Sequence, residues 1–243
     1  MLIPERLLVA QLHRHISARI YLDWVAGDHP PHHSYNNYGA FALAFDPKTI
    51  GPYGYYRGFF SSLVVRDGDK VLDISCGDGF FSKRFFGVKA SHVDAIDIER
   101  DAIDMALRYN ADPKVSFFVR DAVEDPFPSN DYDVVIWDGG IAHFAPGTTE
   151  GMFKKIKAAM RPGGVFAGSE TLGFDGSEDH LQRWDTLEEV RAMLAPNFRY
   201  VELYETEYFY NRDRTGRRGE FYWRCSDDAA ALNVAAWQRH DSH

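Results

Sequence analysis

Cysteine is nearly absent from this chain of 243 residues, which carries only Cys76 and Cys225. A disulfide framework or a thiolate zinc centre has no material to be built from, and a reducing, cytoplasmic setting is expected. Long apolar runs are missing too, so no segment is suited to crossing a bilayer. The opening Met1-Leu2-Ile3-Pro4-Glu5-Arg6 has no basic region leading into an apolar core and a cleavage site, so neither secretion nor a membrane is expected. Positive charge is scarce: 27 Lys and Arg against 36 Asp and Glu leave a net charge of −9. The single short basic tract is Arg212-Asp213-Arg214-Thr215-Gly216-Arg217-Arg218, which disfavours a nucleic-acid partner. Internal repeats and low-complexity segments are also lacking. What the chain has in quantity is aromatic: 13 Tyr and 18 Phe fit an aromatic-lined pocket, or equally a Phe-rich core.

The length suffices for one large domain with an appendage, and the pattern divides it at about residue 55. Pro4 followed by Leu8, Leu12, Ile16 and Ile20 predicts an amphipathic helix over residues 4 to 25. Gly27 to Gly54 then reads as a loop or lid threaded with Tyr35, Tyr38 and Tyr53. His29, His32 and His33 lie close together there, but Pro30-Pro31 prevents a helix from aligning them, and no metal is expected. Residues 56 to 228 form the expected core and 229 to 243 a helix or tail. Tyr56, Phe59, Phe60, Leu63 and Val64 make a helical stripe. Strands follow at Val71–Ile74, 91–98, Val115–Val119, Tyr132–Trp137 and Val165–Glu170. The helices between them show Ala102, Ile103, Ala106 and Leu107, and later Met152, Phe153, Ile156, Ala159 and Met160, on one face. Such alternation predicts an α/β fold, a mostly parallel sheet covered on both faces. Thr186-Leu187-Glu188-Glu189 is a capping box, and strands at about 199–210 and 219–225 make a terminal hairpin.

The organising stretch is Lys70 to Ser82, where Val71-Leu72-Asp73-Ile74 reads as a buried strand and Gly77-Asp78-Gly79 as a tight turn opening a helix that carries Phe81 and Phe85. A strand, a glycine turn and a helix start make a cofactor cradle. Gly77, Gly79 and Ser82 meet only two of the three glycines of the dinucleotide fingerprint. Asp73, four residues before Gly77, gives Asp-x-x-x-Gly-x-Gly instead.

With that pattern the chain resembles the class I S-adenosylmethionine-dependent methyltransferases over roughly Tyr56 to Cys225. Asp97, 24 residues after Asp73, Arg120-Asp121-Ala122, Asp131-Tyr132-Asp133-Val134-Val135-Ile136 and Arg161-Pro162-Gly163-Gly164 follow in the family's order. The resemblance implies a doubly wound, seven-stranded Rossmann-like sheet with an antiparallel carboxy-terminal hairpin and an N-terminal helical lid. It implies S-adenosylmethionine as cofactor, held by Asp73, Ser75, Gly77 and Gly79. By similarity Asp97 takes the ribose hydroxyls, Ile98 flanks the adenine, and Asp121 with the Ala122 N–H takes its amino edge. The departure is Ser75, which stands where the family has its first glycine. Taken singly, Asp73 and Asp97 read better as caps of strand ends or helix starts.

Beyond the fourth strand the chain runs Ile136-Trp137-Asp138-Gly139-Gly140-Ile141-Ala142-His143-Phe144. Ligands of open parallel sheets sit past the strands' carboxyl ends, so this loop is expected to border the transferred methyl group. His143 is the candidate general base, the alternative being a pocket-lining histidine. Asp138 is a candidate for the cofactor's ammonium or the acceptor, against a turn cap. Tyr35, Tyr38 and Glu170 are candidates for the acceptor, Glu170 equally for pairing with a surface arginine, and Trp184 for packing. The expected activity is methyl transfer to a hydroxyl or amine of a small organic acceptor. A nicotinamide-dependent oxidoreductase and a non-catalytic cofactor-binding sensor or partner subunit are the alternatives. The oligomeric state stays open, a homodimer included.

Overall fold

The computed structural model describes residues 53–173, 180–209 and 217–232. The helix expected over residues 4 to 25, the three N-terminal histidines, Tyr35 and Tyr38 lie outside the described residues, as does the end of the tail. The chain divides into two compact units, one of Met1–Tyr55 with Tyr208–Arg217, the other of Tyr56–Glu207 with Arg218–His243. The second is a seven-stranded sheet in the order β3-β2-β1-β4-β5-β7-β6. Its strands are β1 (Lys70–Ile74), β2 (His92–Asp97), β3 (Val115–Val119), β4 (Tyr132–Asp138), β5 (Met160–Leu172), β6 (Tyr200–Phe209) and β7 (Arg217–Ser226). Pairs β3·β2, β2·β1, β1·β4 and β4·β5 are parallel, and β7 runs antiparallel to β5. The helices are α1 (Tyr53–Ser62), α2 (Arg100–Tyr109), α3 (Pro146–Ala159), α4 (Leu187–Leu194) and α5 (Ala229–Leu232). Among the described residues no helix is long and apolar enough to cross a membrane.

Val71, Leu72, Asp73 and Ile74 of β1 are all buried, as a central parallel strand with both faces covered requires. Their side chains alternate. Leu72 and Ile74 join Val135, Trp137, Phe153, Ile156, Phe166, Val190, Phe198 and Trp223 in one core under α3 and α4. Asp73 points to the opposite face, where it meets Ser82. Trp184 is buried edge-on to Phe221, with ring centroids 5.5 Å apart, and is a packing residue. The capping box at Thr186 forms with both of its bonds, Glu189 N–H to Thr186 Oγ1 at 3.3 Å and Thr186 N–H to Glu189 Oε2 at 3.4 Å.

Three local expectations change. The helix opened by the glycine turn is a five-residue π-helical turn, Ser82–Phe86. Phe80, Phe81 and Phe85 crowd edge to face beside it, and a Cβ on Gly58 would collide with Phe81, so α1 packs close against this cluster. On α2 the fourth apolar position is Met105, not Leu107; Met105 is buried while Leu107 is 53% exposed. The α1 helix ends at Ser62, leaving Leu63 and Val64 in the turn beyond it.

Candidate active site

The chain winds outward from β1 through β2 to β3 and then returns to the other side of β1 as β4. That reversal sets the turns after β1 and β4 side by side at the carboxyl ends of the strands, the place where open α/β sheets bind ligands. Its walls are the Ser75–Gly79 turn and the Asp138–Gly140 turn.

The first wall holds its shape by backbone bonds and left-handed residues. Cys76 N–H donates to the Ile96 carbonyl at 3.0 Å, and Gly77 N–H to Asp97 Oδ2 at 2.8 Å. Ser75, the departure from the family pattern, takes φ of 59°, so the backbone keeps the conformation glycine would adopt. For serine that conformation costs about 1–2 kcal/mol. Gly79, at φ of 71°, is needed for space as well, because a Cβ there would overlap the Phe117 ring and lie 3.0 Å from the Ala106 Cβ. Gly79→Ala is expected to destabilise the fold by about 2–4 kcal/mol, from left-handed strain plus overpacking. Urea unfolding checks this, and a loss below about 0.5 kcal/mol would mean that the turn relaxes freely.

Asp97 is buried at the end of β2, and each carboxylate oxygen is oriented by a main-chain donor, Oδ2 by Gly77 and Oδ1 by the Glu99 N–H at 2.9 Å. Ile98 beside it is 61% exposed, an apolar side chain presented to solvent. Asp121 Oδ1 accepts from Val123 N–H at 2.8 Å and Glu124 N–H at 3.3 Å in a side-chain-closed turn. Lys155 on α3 clamps that loop by donating to the carbonyls of Ala122, Val123 and Asp125. Asp73 is buried and accepts from Ser82 Oγ at 2.5 Å. Burial, with Asp138 and Asp97 nearby, pushes its carboxyl up to about 8 although the serine bond pulls the other way.

On the second wall, Asp138 Oδ1 accepts from Ser61 Oγ and Ser169 Oγ, both at 2.9 Å. Its other oxygen is closed from solvent and, among the described residues, has no hydrogen-bond partner; the same holds for the indole N–H of Trp137. Burial outweighs the two serine bonds and the nearby Arg57 and raises Asp138 to about 7. The two walls touch: a Cβ on Gly140 would lie 2.7 Å from Trp137 Nε1 and 3.0 Å from Ser75 Oγ. His143 is exposed at the end of a 3-10 turn, Ile141–His143, immediately past this wall.

Glu170 does not stand where an acceptor would be expected to meet it. It is buried on β5, and its Oε1 accepts from the Thr171 N–H at 2.8 Å while Oε2 accepts from the Ala142 N–H at 3.3 Å. Arg57 of α1 lies 3.7 Å from it and donates through Nε to Glu220 of β7 at 2.6 Å. Glu220 in turn accepts from Tyr222 OH at 2.8 Å. The Arg57 guanidinium lies against Gly139, where any Cβ would overlap it. None of Arg57, Glu220, Ser61 or Ser169 was named from the sequence. One signal was available for Arg57, the lone charged residue of the segment Tyr-Gly-Tyr-Tyr-Arg-Gly-Phe-Phe-Ser-Ser.

These features suit a cationic nucleoside cofactor. The Asp97 carboxylate is held by two main-chain donors at the end of β2, and the turn after β4 holds one buried acceptor and one buried donor without a hydrogen-bond partner among the described residues, at Asp138 and Trp137. Comparison with known proteins agrees. Residues 71–164 match the methyltransferase domain family model. A sterol 24-C-methyltransferase of Gibberella zeae is 29% identical over 140 residues, covering 56% of this chain and 36% of that protein. Phosphoethanolamine N-methyltransferase 2 of Caenorhabditis elegans is 29% identical over 177 residues, 69% of this chain and 39% of that one. The chain thus spans little more than a third of the length of these curated relatives. Among solved structures, the Haemonchus contortus phosphoethanolamine N-methyltransferase 2, in complex with phosphomonomethylethanolamine and S-adenosylhomocysteine, superposes with a TM-score of 0.58 at 16% identity. That alignment covers 79% of this chain and 57% of the other. With the ordered motifs, the reversed seventh strand and the matched region in agreement, residues 71–164 form a methyltransferase domain, and the chain is similar in motif order and sheet topology to the class I S-adenosylmethionine-dependent methyltransferases.

Proposed function

We propose that this chain transfers a methyl group from S-adenosylmethionine to a hydroxyl or amine of a small organic acceptor, with His143 as general base. The observation that carries the reading is the position of His143, exposed on a turn directly past the paired ends of β1 and β4. When bound, the cofactor supplies an electrophilic methyl group. Asp97 would hold the ribose hydroxyls, Ile98 would cover the adenine, and Asp121 with the Ala122 N–H would take its amino edge. The open oxygen of Asp138 would receive the ammonium, and Asp73 would offset positive charge from below. Alignment supplies much of the rate in such a displacement. A base adds to it by removing the acceptor's proton as the new bond forms. The relatives' named substrates, a sterol and phosphoethanolamine, support a small-molecule acceptor. Cys76 and Cys225 are free and buried, which supports a reducing, cytoplasmic setting.

A turnover assay over sterol, phenol, sugar and amino-alcohol acceptors, paired with calorimetric binding of the cofactor, tests this function. Cofactor binding without product from any acceptor would leave the sensor reading in its place. For the base, His143→Ala is expected to lower kcat by about 10²–10⁴-fold and to flatten the acidic limb of the pH–rate profile, with cofactor affinity unchanged. An unaltered profile would reduce His143 to a lining residue.

A further inference from the structure

Lys155 fastens the loop after β3 from within α3. Its Nζ donates to the Ala122 carbonyl at 2.6 Å, the Val123 carbonyl at 3.0 Å and the Asp125 carbonyl at 2.5 Å. It also sits 4.7 Å from the centroid of the Phe127 ring. An ammonium has three donors, and the three carbonyls use all of them. Asp121, Asp125 and Glu124 bear on its charge, yet among the described residues it bonds to main chain alone.

The loop is closed from inside as well. Asp121 N–H donates to Asp125 Oδ2 at 2.9 Å and Asp125 N–H to the Asp121 carbonyl at 3.0 Å, while Asp121 Oδ1 takes the Val123 and Glu124 N–H groups. This pattern passes over one donor and one acceptor. The Ala122 N–H and Asp121 Oδ2 have no hydrogen-bond partner among the described residues, although the amides on either side of Ala122 are engaged. The Arg120 N–H, donating to the Asp97 carbonyl at 2.8 Å, ties the start of the loop to the end of β2.

We propose that Lys155 is a positioning residue for base selection, holding the loop so that the Ala122 N–H and Asp121 Oδ2 stay fixed as a donor and an acceptor that take adenine and reject hypoxanthine. The proposal rests on the reading that this loop takes the adenine edge. Adenine offers an amino donor beside a ring-nitrogen acceptor. Hypoxanthine offers the reverse, a carbonyl oxygen beside an N–H, so both contacts turn repulsive. Rejection of this kind needs the pair held still, because a loop free to turn relieves the mismatch by moving away from it.

The test uses the full chain as wild type, Lys155→Met and Lys155→Arg. Calorimetry with S-adenosylhomocysteine and S-inosylhomocysteine reads the selectivity, and hydrogen exchange without ligand reads the order of the loop. The wild type is expected to prefer the adenosyl compound at least about thirtyfold, and Lys155→Met to bring that ratio within about threefold. The Val123 and Glu124 amides, which bond to Asp121 Oδ1, are expected to exchange at least about tenfold faster in Lys155→Met. Arginine keeps the charge, but its planar fork cannot place three donors on carbonyls that converge on one nitrogen. Lys155→Arg is therefore expected to lose most of the preference too. An unchanged preference in Lys155→Met, wild-type preference in Lys155→Arg, or unchanged exchange would each overturn the proposal. A wild type that bound both compounds equally would overturn the adenine reading and the selectivity built on it. The exchange difference at Val123 and Glu124 would persist in that case, whereas it would vanish if the clamp itself were at fault.

Discussion

Replacing Arg57 by methionine is expected to destabilise the fold by about 3–5 kcal/mol, the usual consequence of leaving buried carboxylates without their cation. Arg57 is 9% exposed, and Glu220 and Glu170, which it meets at 2.6 and 3.7 Å, are 0% and 1% exposed. Methionine fills similar volume, so lost packing does not account for a penalty of that size. Adding Glu220→Gln to Arg57→Met should recover a good part of the loss, since the amide needs no counter-charge. Urea unfolding of the two single variants and the double variant measures the coupling. An Arg57→Met protein within about 1 kcal/mol of wild type would show that the network is neutralised by other means. The same change should weaken cofactor binding, because the guanidinium supports the Gly139 backbone and with it the turn that carries Asp138.

The network also marks the limit of what the sequence discloses. The strands were legible because buried parallel strands write themselves as short apolar runs, and β3 was read to the residue. Asp73, Asp97 and the two glycine turns could be placed from the sequence because they stand at or just past the carboxyl ends of β1, β2 and β4, where the strand pattern stops. By contrast Arg57, Asp138, Glu170 and Glu220 come from four separate elements and meet only once the sheet order is settled. Glu170 read equally as an acceptor residue or as the partner of a surface arginine; nothing local says that the arginine is Arg57, 113 residues upstream and buried. The π-helical turn escaped because Phe81 and Phe85 fit an α-helical spacing equally well. The local pattern also misled at Leu107, whose helix face turned slightly farther toward Met105, and at Leu63 and Val64, which lie past the end of α1.

Cofactor binding is expected to release protons. Burial holds Asp73 at about 8 and Asp138 at about 7, against an ordinary 3.8. In the ligand-free fold both groups carry protons at about pH 6, whereas in the unfolded chain both have lost them by then. A folded-state value above the unfolded one contributes stability that is complete below about pH 4 and is lost as pH rises through about 7 to 8. The ligand-free protein should therefore melt at lower temperature at pH 8 than at pH 5. A sulfonium and an ammonium entering at the ends of β1 and β4 favour the ionised carboxylates, and protons leave on binding. Affinity should rise by up to about tenfold per pH unit for each proton released, then level off above about pH 8. Calorimetry at about pH 6.5 in phosphate and in imidazole reads the number directly, since the two buffers take up protons with different heats. Asp73→Asn should release about one proton fewer and flatten the fall in melting temperature. S-adenosylhomocysteine, which lacks the sulfonium charge, should release fewer than S-adenosylmethionine. Equal heats in the two buffers would sink the linkage, because they would mean that Asp73 and Asp138 keep their protonation when the cofactor enters.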